Sequence, residues 1–106
     1  MSLVTSFHSE NWRKRGSAWL LVLLLSACAV MPPVQEMSDA RQAIKAAREA
    51  NAEQYAPQKL RSAEDSLELA TKTLEQGEYE EARMAATVAK ALAIKARDAA
   101  VAAATR

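Results

Sequence analysis

The chain has 106 residues, 14 Lys and Arg against 13 Asp and Glu, a formal net charge of +1, one histidine and one cysteine. This balance excludes the strongly basic face that nucleic acid demands, and a lone cysteine excludes an internal disulfide framework. Half of the residues are hydrophobic but only 5% are aromatic, so a core must be built from small aliphatic side chains.

Met1 to Trp12 form a polar leader without a recognisable signal. Arg13, Lys14 and Arg15 follow, then an apolar run from Ser17 to Ala27 that ends in Leu25-Ser26-Ala27-Cys28. The run is about half the ~20 apolar residues a helix needs to span a bilayer, and with its basic flank it reads as a cleaved secretory signal over residues 1–27. Its four closing residues resemble the lipobox of bacterial lipoproteins. That resemblance implies a diacylglycerol thioether on Cys28, cleavage between Ala27 and Cys28, and a further acyl chain on the new amino terminus. Membrane lipid, reached through acylated Cys28, is therefore the first expected partner. Each buried methylene contributes about 0.8 kcal/mol and one chain holds only weakly, so two or three chains on one residue make a durable anchor. Ala29 after the cysteine, where an aspartate would signal retention, resembles the sorting rule for the outer membrane and points to its periplasmic face.

Cleavage takes His8, Glu10 and the three basic residues away and leaves 79 residues, with 11 basic and 12 acidic side chains. Of these 79, 22 are alanine, Gly77 is the one glycine, and neither tryptophan nor phenylalanine remains. Alanine is the best helix former, and β-branched residues are too sparse and too unevenly spaced for strands. The expected fold is all-α: an antiparallel three-helix bundle, or a helical hairpin with a long Ala-rich C-terminal helix. It occupies residues 34–106 behind a lipidated tether over 28–33, whose Ala29 to Pro33 part is an extended spacer reaching no more than about 20 Å.

A first helix is predicted over Val34 to Ala52, with Met37, Ala40, Ile44, Ala47 and Asn51 along one stripe. The periodicity breaks over Asn51 to Ala56, and Pro57 suits the first position of a second helix, where its missing donor costs nothing. That helix runs to Gln76 on Leu60, Ala63, Leu67, Ala70 and Leu74. Gly77 supplies a left-handed stop. A third helix spans Glu78 to about Ala104, with Tyr79, Ala82, Ala86, Ala89, Ala93, Ala96, Ala100 and Ala103 in one seam widened by Met84, Val88 and Leu92. The core is expected to rest on Ile44, Leu60, Leu67, Leu69, Leu74, Met84, Val88, Leu92 and Ile94. The last turns, from Val101 to Arg106, outrun the shorter helices. Fraying is expected at the final residues and a contact with another molecule over Ala93 to Ala100. Ala86, Ala89, Ala93, Ala96 and Ala100 are thus the predicted interaction surface, for an envelope protein or a second copy. Tyr55, Gly77 and Tyr79 are assigned to turn packing, with both rings plugging the ends of the core.

No catalytic constellation, cofactor site or metal site is read. After cleavage there is no histidine to act as a base near neutral pH, and no free thiol once Cys28 is acylated. Ser38, Ser62, Ser66, Thr71 and Thr73 have no evident activating partner. Glu78, Glu80 and Glu81 are read as complementing the positive end of the third helix's dipole rather than as cation ligands.

Ala46-Ala47-Arg48-Glu49-Ala50, leading to Tyr55-Ala56-Pro57, then Leu60 and Ala63, then Leu74 to Ala82 with Gly77-Glu78-Tyr79-Glu80-Glu81-Ala82-Arg83, together resemble the short envelope lipoproteins grouped as domain of unknown function 4398. The resemblance spans nearly all of the mature chain and implies a helical envelope domain, without naming an activity. The Gly77 to Ala82 turn also resembles the junction within a tetratricopeptide repeat, although the tryptophan and Leu-Gly of that repeat are missing and about three stacked units are needed to bury a continuous core. In architecture the chain is similar to the abundant helical lipoprotein bound to peptidoglycan through a terminal lysine, but it ends in Thr105-Arg106. The expected role is a lipid-anchored structural or adaptor protein without catalysis. The alternative is a peptide-binding adaptor with a repeat-like groove near Tyr55 and Tyr79.

Overall fold

The computed structural model describes residues 31–106, of which Pro32–Arg106 form one compact unit. The signal segment, the cleavage site at Ala27 and Cys28, and most of the tether lie outside the described residues. The chain is all-α, with helices α1 (Val34–Glu49), α2 (Ala52–Tyr55), α3 (Pro57–Glu75) and α4 (Tyr79–Ala104) and no strand among the described residues. Pro33 is buried and caps α1, its carbonyl accepting the Met37 N–H at 3.1 Å, so the domain takes in a residue that the sequence reading left in the tether.

The junctions follow backbone chemistry. The first helix stops at Glu49, short of the expected Ala52, because Asn51 takes the left-handed conformation at φ 63°. Asparagine tolerates this region better than other residues with a Cβ. The Asn51 N–H donates to the Arg48 carbonyl at 2.9 Å, and the Asn51 carbonyl accepts the N–H groups of Gln54 and Tyr55, both at 3.0 Å. One residue thus closes α1 and starts the single turn of α2. Pro57 opens α3 as predicted. Gly77, at φ 80°, ends it: the Gly77 N–H donates to the Leu74 carbonyl at 3.0 Å and the Glu78 N–H to the Thr73 carbonyl at 2.9 Å. This is the paired bonding of a Schellman motif, which satisfies two orphan carbonyls and turns the chain back on itself.

The three long helices alternate in direction. Ion pairs Glu36–Arg83 at 2.7 Å and Asp39–Lys90 at 3.7 Å set α1 parallel to α4, and Arg48–Glu64 at 2.6 Å joins the C-terminal end of α1 to the N-terminal half of α3. Both α1 and α3 pack extensively along α4 but touch each other much less. The alanine seam explains this arrangement, since small side chains let neighbours approach toward the ~8 Å end of the interhelical range.

The core has two clusters. One gathers Ile44, Ala47, Ala52, Ala56, Leu60 and Ala63 against Ala93, Ala96 and Ala100. The other joins Met37 and Ala70 to Ala85 and Ala86, with Leu74 at its edge. The predicted core is corrected here. Ile44 and Leu60 are buried, while Leu67, Leu74 and Leu92 are partly buried. Leu69 is exposed on α3, and Met84, Val88 and Ile94 are exposed on α4, where alanines already fill the inner face. No helix among the described residues is long and apolar enough to cross a membrane.

Candidate interaction surface

The alanine seam is not a free surface. Ala86, Ala89, Ala93, Ala96 and Ala100 are each 0% exposed, enclosed by helices of their own chain. The expectation that they form an intermolecular contact is therefore corrected. Ala52 and Ala56, in and after the α2 turn, join the cluster that holds Ala100, so the chain itself covers the end of the seam. The helix runs to Ala104, the end that its periodicity predicted.

The tyrosines are also relocated. Tyr55 is 41% and Tyr79 38% exposed, so the rings lie at the surface rather than plugging the core. They flank opposite ends of α3, a helix of 19 residues and therefore about 28 Å long. The structure does not bring them into one groove, which removes the geometry imagined for a repeat-like peptide site. Gly77 stands where the sequence placed it, in the turn.

What the fold does present is the outer side of α4. At about 100° per residue, Glu81, Met84, Val88, Ala91 and Lys95 follow one another along the face opposite the alanines. Met84 is 68% and Val88 50% exposed, and Ile94 and Val101 add apolar surface on one flank. Met84 and Val88 stand one turn apart among the exposed charges Glu80, Glu81 and Lys95. At the start of the face, Glu78 accepts crowding from Glu81: their hydrogen bond and like charge hold the Glu78 carboxyl above its ordinary range. Lys95, near the other end, belongs to none of the ion pairs among the described residues.

An open groove of about 370 Å³ between α1 and α3 was not legible in the sequence because it arises from the gap between two helices that both lean on α4. Ile44 and Leu67 line it, and the Arg48–Glu64 ion pair, both of whose members line it too, closes part of it. Several hydroxyls weighed as nucleophiles are engaged: Ser62 donates to the Gln58 carbonyl, Thr71 to Leu67, and Thr73 to Leu69 and Ala70, at 2.9–3.2 Å. Glu80 and Glu81 sit in the first turn of α4, and Glu80 pairs with Arg83 at 3.6 Å, the placement expected of charges that offset a helix dipole.

The family model that matches is the domain of unknown function DUF4398, over residues 35–106, which takes in α3 and α4 and all of α1 but its first residue. The chain belongs to the DUF4398 family. No curated protein and no solved structure shows significant similarity to it. The DUF4398 segment begins just inside α1, so the helical bundle and the family domain are one and the same unit. The Tyr-Ala-Pro stretch and the Gly-x-Tyr-x-x-Ala turn that carried the resemblance fall at the junctions on either side of α3, at Tyr55–Pro57 and Gly77–Ala82.

Proposed function

We propose that this DUF4398 protein is a lipid-anchored envelope lipoprotein with a structural or adaptor role and no catalytic one, held by acylated Cys28 at the periplasmic face of the outer membrane. The observation that carries the role is the exposure of Met84, Val88, Ile94 and Val101 on α4, a helix whose opposite side is already fully packed. A helix with one satisfied face and a second apolar face has surface to offer another protein. The anchor rests on Leu25-Ser26-Ala27-Cys28 behind its basic and apolar segments. A bundle that begins at Pro32, four residues after Cys28, sits close to the bilayer.

The test is Cys28→Ser in the full chain. Labelling with an alkyne fatty acid should disappear and the protein should leave the outer-membrane fraction or stall as an uncleaved precursor. Unchanged membrane residence of an unlabelled Cys28→Ser chain would overturn the anchor. The second reading, a peptide-binding groove around Tyr55 and Tyr79, is weakened by their placement at opposite ends of α3.

A further inference from the structure

We infer that the end of the bundle holding the Gly77 turn is the surface that meets the lipid headgroups, and that the end holding α2 points away from them. The inference rests on the anchor proposed at Cys28 and goes further by naming which part of the domain lies against the membrane. Pro33 is buried in the bundle, so only the five peptide steps from Cys28 to Pro33 separate the acyl chains from packed structure, a reach of no more than about 18 Å. The two core clusters say what lies at that end. Met37 of α1 shares its cluster with Ala70 and Leu74 of α3 and with Ala85 and Ala86 of α4, all within about three turns of Gly77. The Glu36–Arg83 pair, at 2.7 Å, fixes the start of α1 beside the start of α4. Ala52 and Ala56 share the other cluster with Leu60 and Ala100, at the opposite end.

The third helix, about 28 Å long, runs from one of these ends to the other. A bundle turned upside down, with α2 against the lipid, needs Cys28 and Pro33 to stand about 28 Å apart, farther than the tether reaches. Upright and moderately tilted arrangements all fit, and in each of them the Gly77 turn is the nearer end. Charge then narrows the kind of surface. Glu75, Glu78, Glu80 and Glu81 stand in and beside the turn, and of these only Glu80 pairs with a cation among the described residues. An anionic headgroup layer repels such an end, so the lipid it fits is zwitterionic. The opposite end is left facing away from the membrane, with Gln54, Tyr55 and Arg106 exposed on it.

The experiment uses the full chain, expressed with its signal, extracted from membranes and inserted into phosphatidylcholine vesicles that carry a nitroxide on a fraction of their headgroups. Gln76→Cys, beside Gly77, and Gln54→Cys, in α2, are each labelled with a bimane; both positions are exposed, and acylated Cys28 does not react. Val34→Cys and Gln58→Cys, also exposed, form a second pair from the same two ends. Headgroup nitroxides quench only at short range, so quenching roughly threefold stronger at Gln76 than at Gln54 is expected, with the same order from Val34 to Gln58. Replacing part of the lipid with phosphatidylglycerol at low salt should weaken the quenching at Gln76, and added salt should restore it. Equal quenching at the two ends, or stronger quenching at the α2 end, in chains that float with the vesicles and keep their helical circular dichroism overturns the orientation and leaves the anchor standing. Quenching at Gln76 that does not fall with phosphatidylglycerol overturns the choice of lipid. Chains that carry no acyl group and do not float overturn the anchor, and the orientation with it.

Discussion

Ala93 and Val88 lie on the same helix, and their fates are opposite to what their sizes suggest: the methyl group is 0% exposed and the isopropyl group 50%. Ala93 stands where backbones approach closely, so Ala93→Leu should overpack the seam and cost about 1–3 kcal/mol, lowering Tm by roughly 5–20 °C in a thermal melt. Val88→Cys on the outer face should leave Tm nearly unchanged. Gly77 illustrates a different cost. A Cβ built there meets nothing within 4 Å, but φ is 80°, so Gly77→Ala should destabilise by about 1 kcal/mol through backbone strain alone, visible as a lower urea midpoint with an unchanged slope. Glu36 and Glu78 respond to acid in opposite directions. The helix N-terminal backbone and the Arg83 guanidinium hold Glu36 below its ordinary range, so its stabilisation is present above that range and is lost as pH falls through the lowered value. Glu78, raised by Glu81, favours the fold when protonated and loses that contribution as pH rises through its raised value. Stability measured against pH should therefore lose its Glu36 acid limb in Glu36→Gln, and Glu78→Gln should lose the opposite one.

The stops between helices were read with unequal success. Gly77 and Pro57 are strong punctuation, and both stand where a left-handed residue and a donorless first position are needed. Asn51 was placed on the apolar stripe of the first helix because its spacing fits, yet it is the residue that ends that helix. Spacing is blind to φ, and asparagine at a helix end carries a second meaning that the stripe concealed. The stripes of α1 and α3 were legible, since Met37, Ala40, Ile44 and Ala47, and then Leu60, Ala63 and Ala70, are buried in register. On α4 the alanine seam was found but its use was misread. With alanine on most of one side and larger aliphatics on the other, bulk suggested that Met84, Val88 and Ile94 belong inside, whereas close helix packing selects the smaller side chains for the interior.

In the whole molecule, α4 serves as a spine that accepts α1 on one flank and α3 on the other, while α2 packs against its far half. The ion pairs that cross between the long helices, Glu36–Arg83, Asp39–Lys90 and Arg48–Glu64, all involve partly or fully exposed side chains, so each contributes in the range of about 0–1 kcal/mol and directs alignment more than it stabilises. With alanine supplying most of the buried positions, the bundle has little apolar area in reserve. The candidate surface was only partly visible beforehand: Val88 and Met84 were noticed on the right helix and assigned to the wrong side of it. Composition and local spacing alone determined that the chain is helical, where two of its turns fall, and that its leader resembles a lipoprotein signal, because helix propensity and turn chemistry act over a few residues. Which face of α4 is enclosed, that Tyr55 and Tyr79 stand apart, and that an apolar stripe remains outside were decided only by tertiary packing, because they depend on how closely two backbones from distant parts of the chain approach each other.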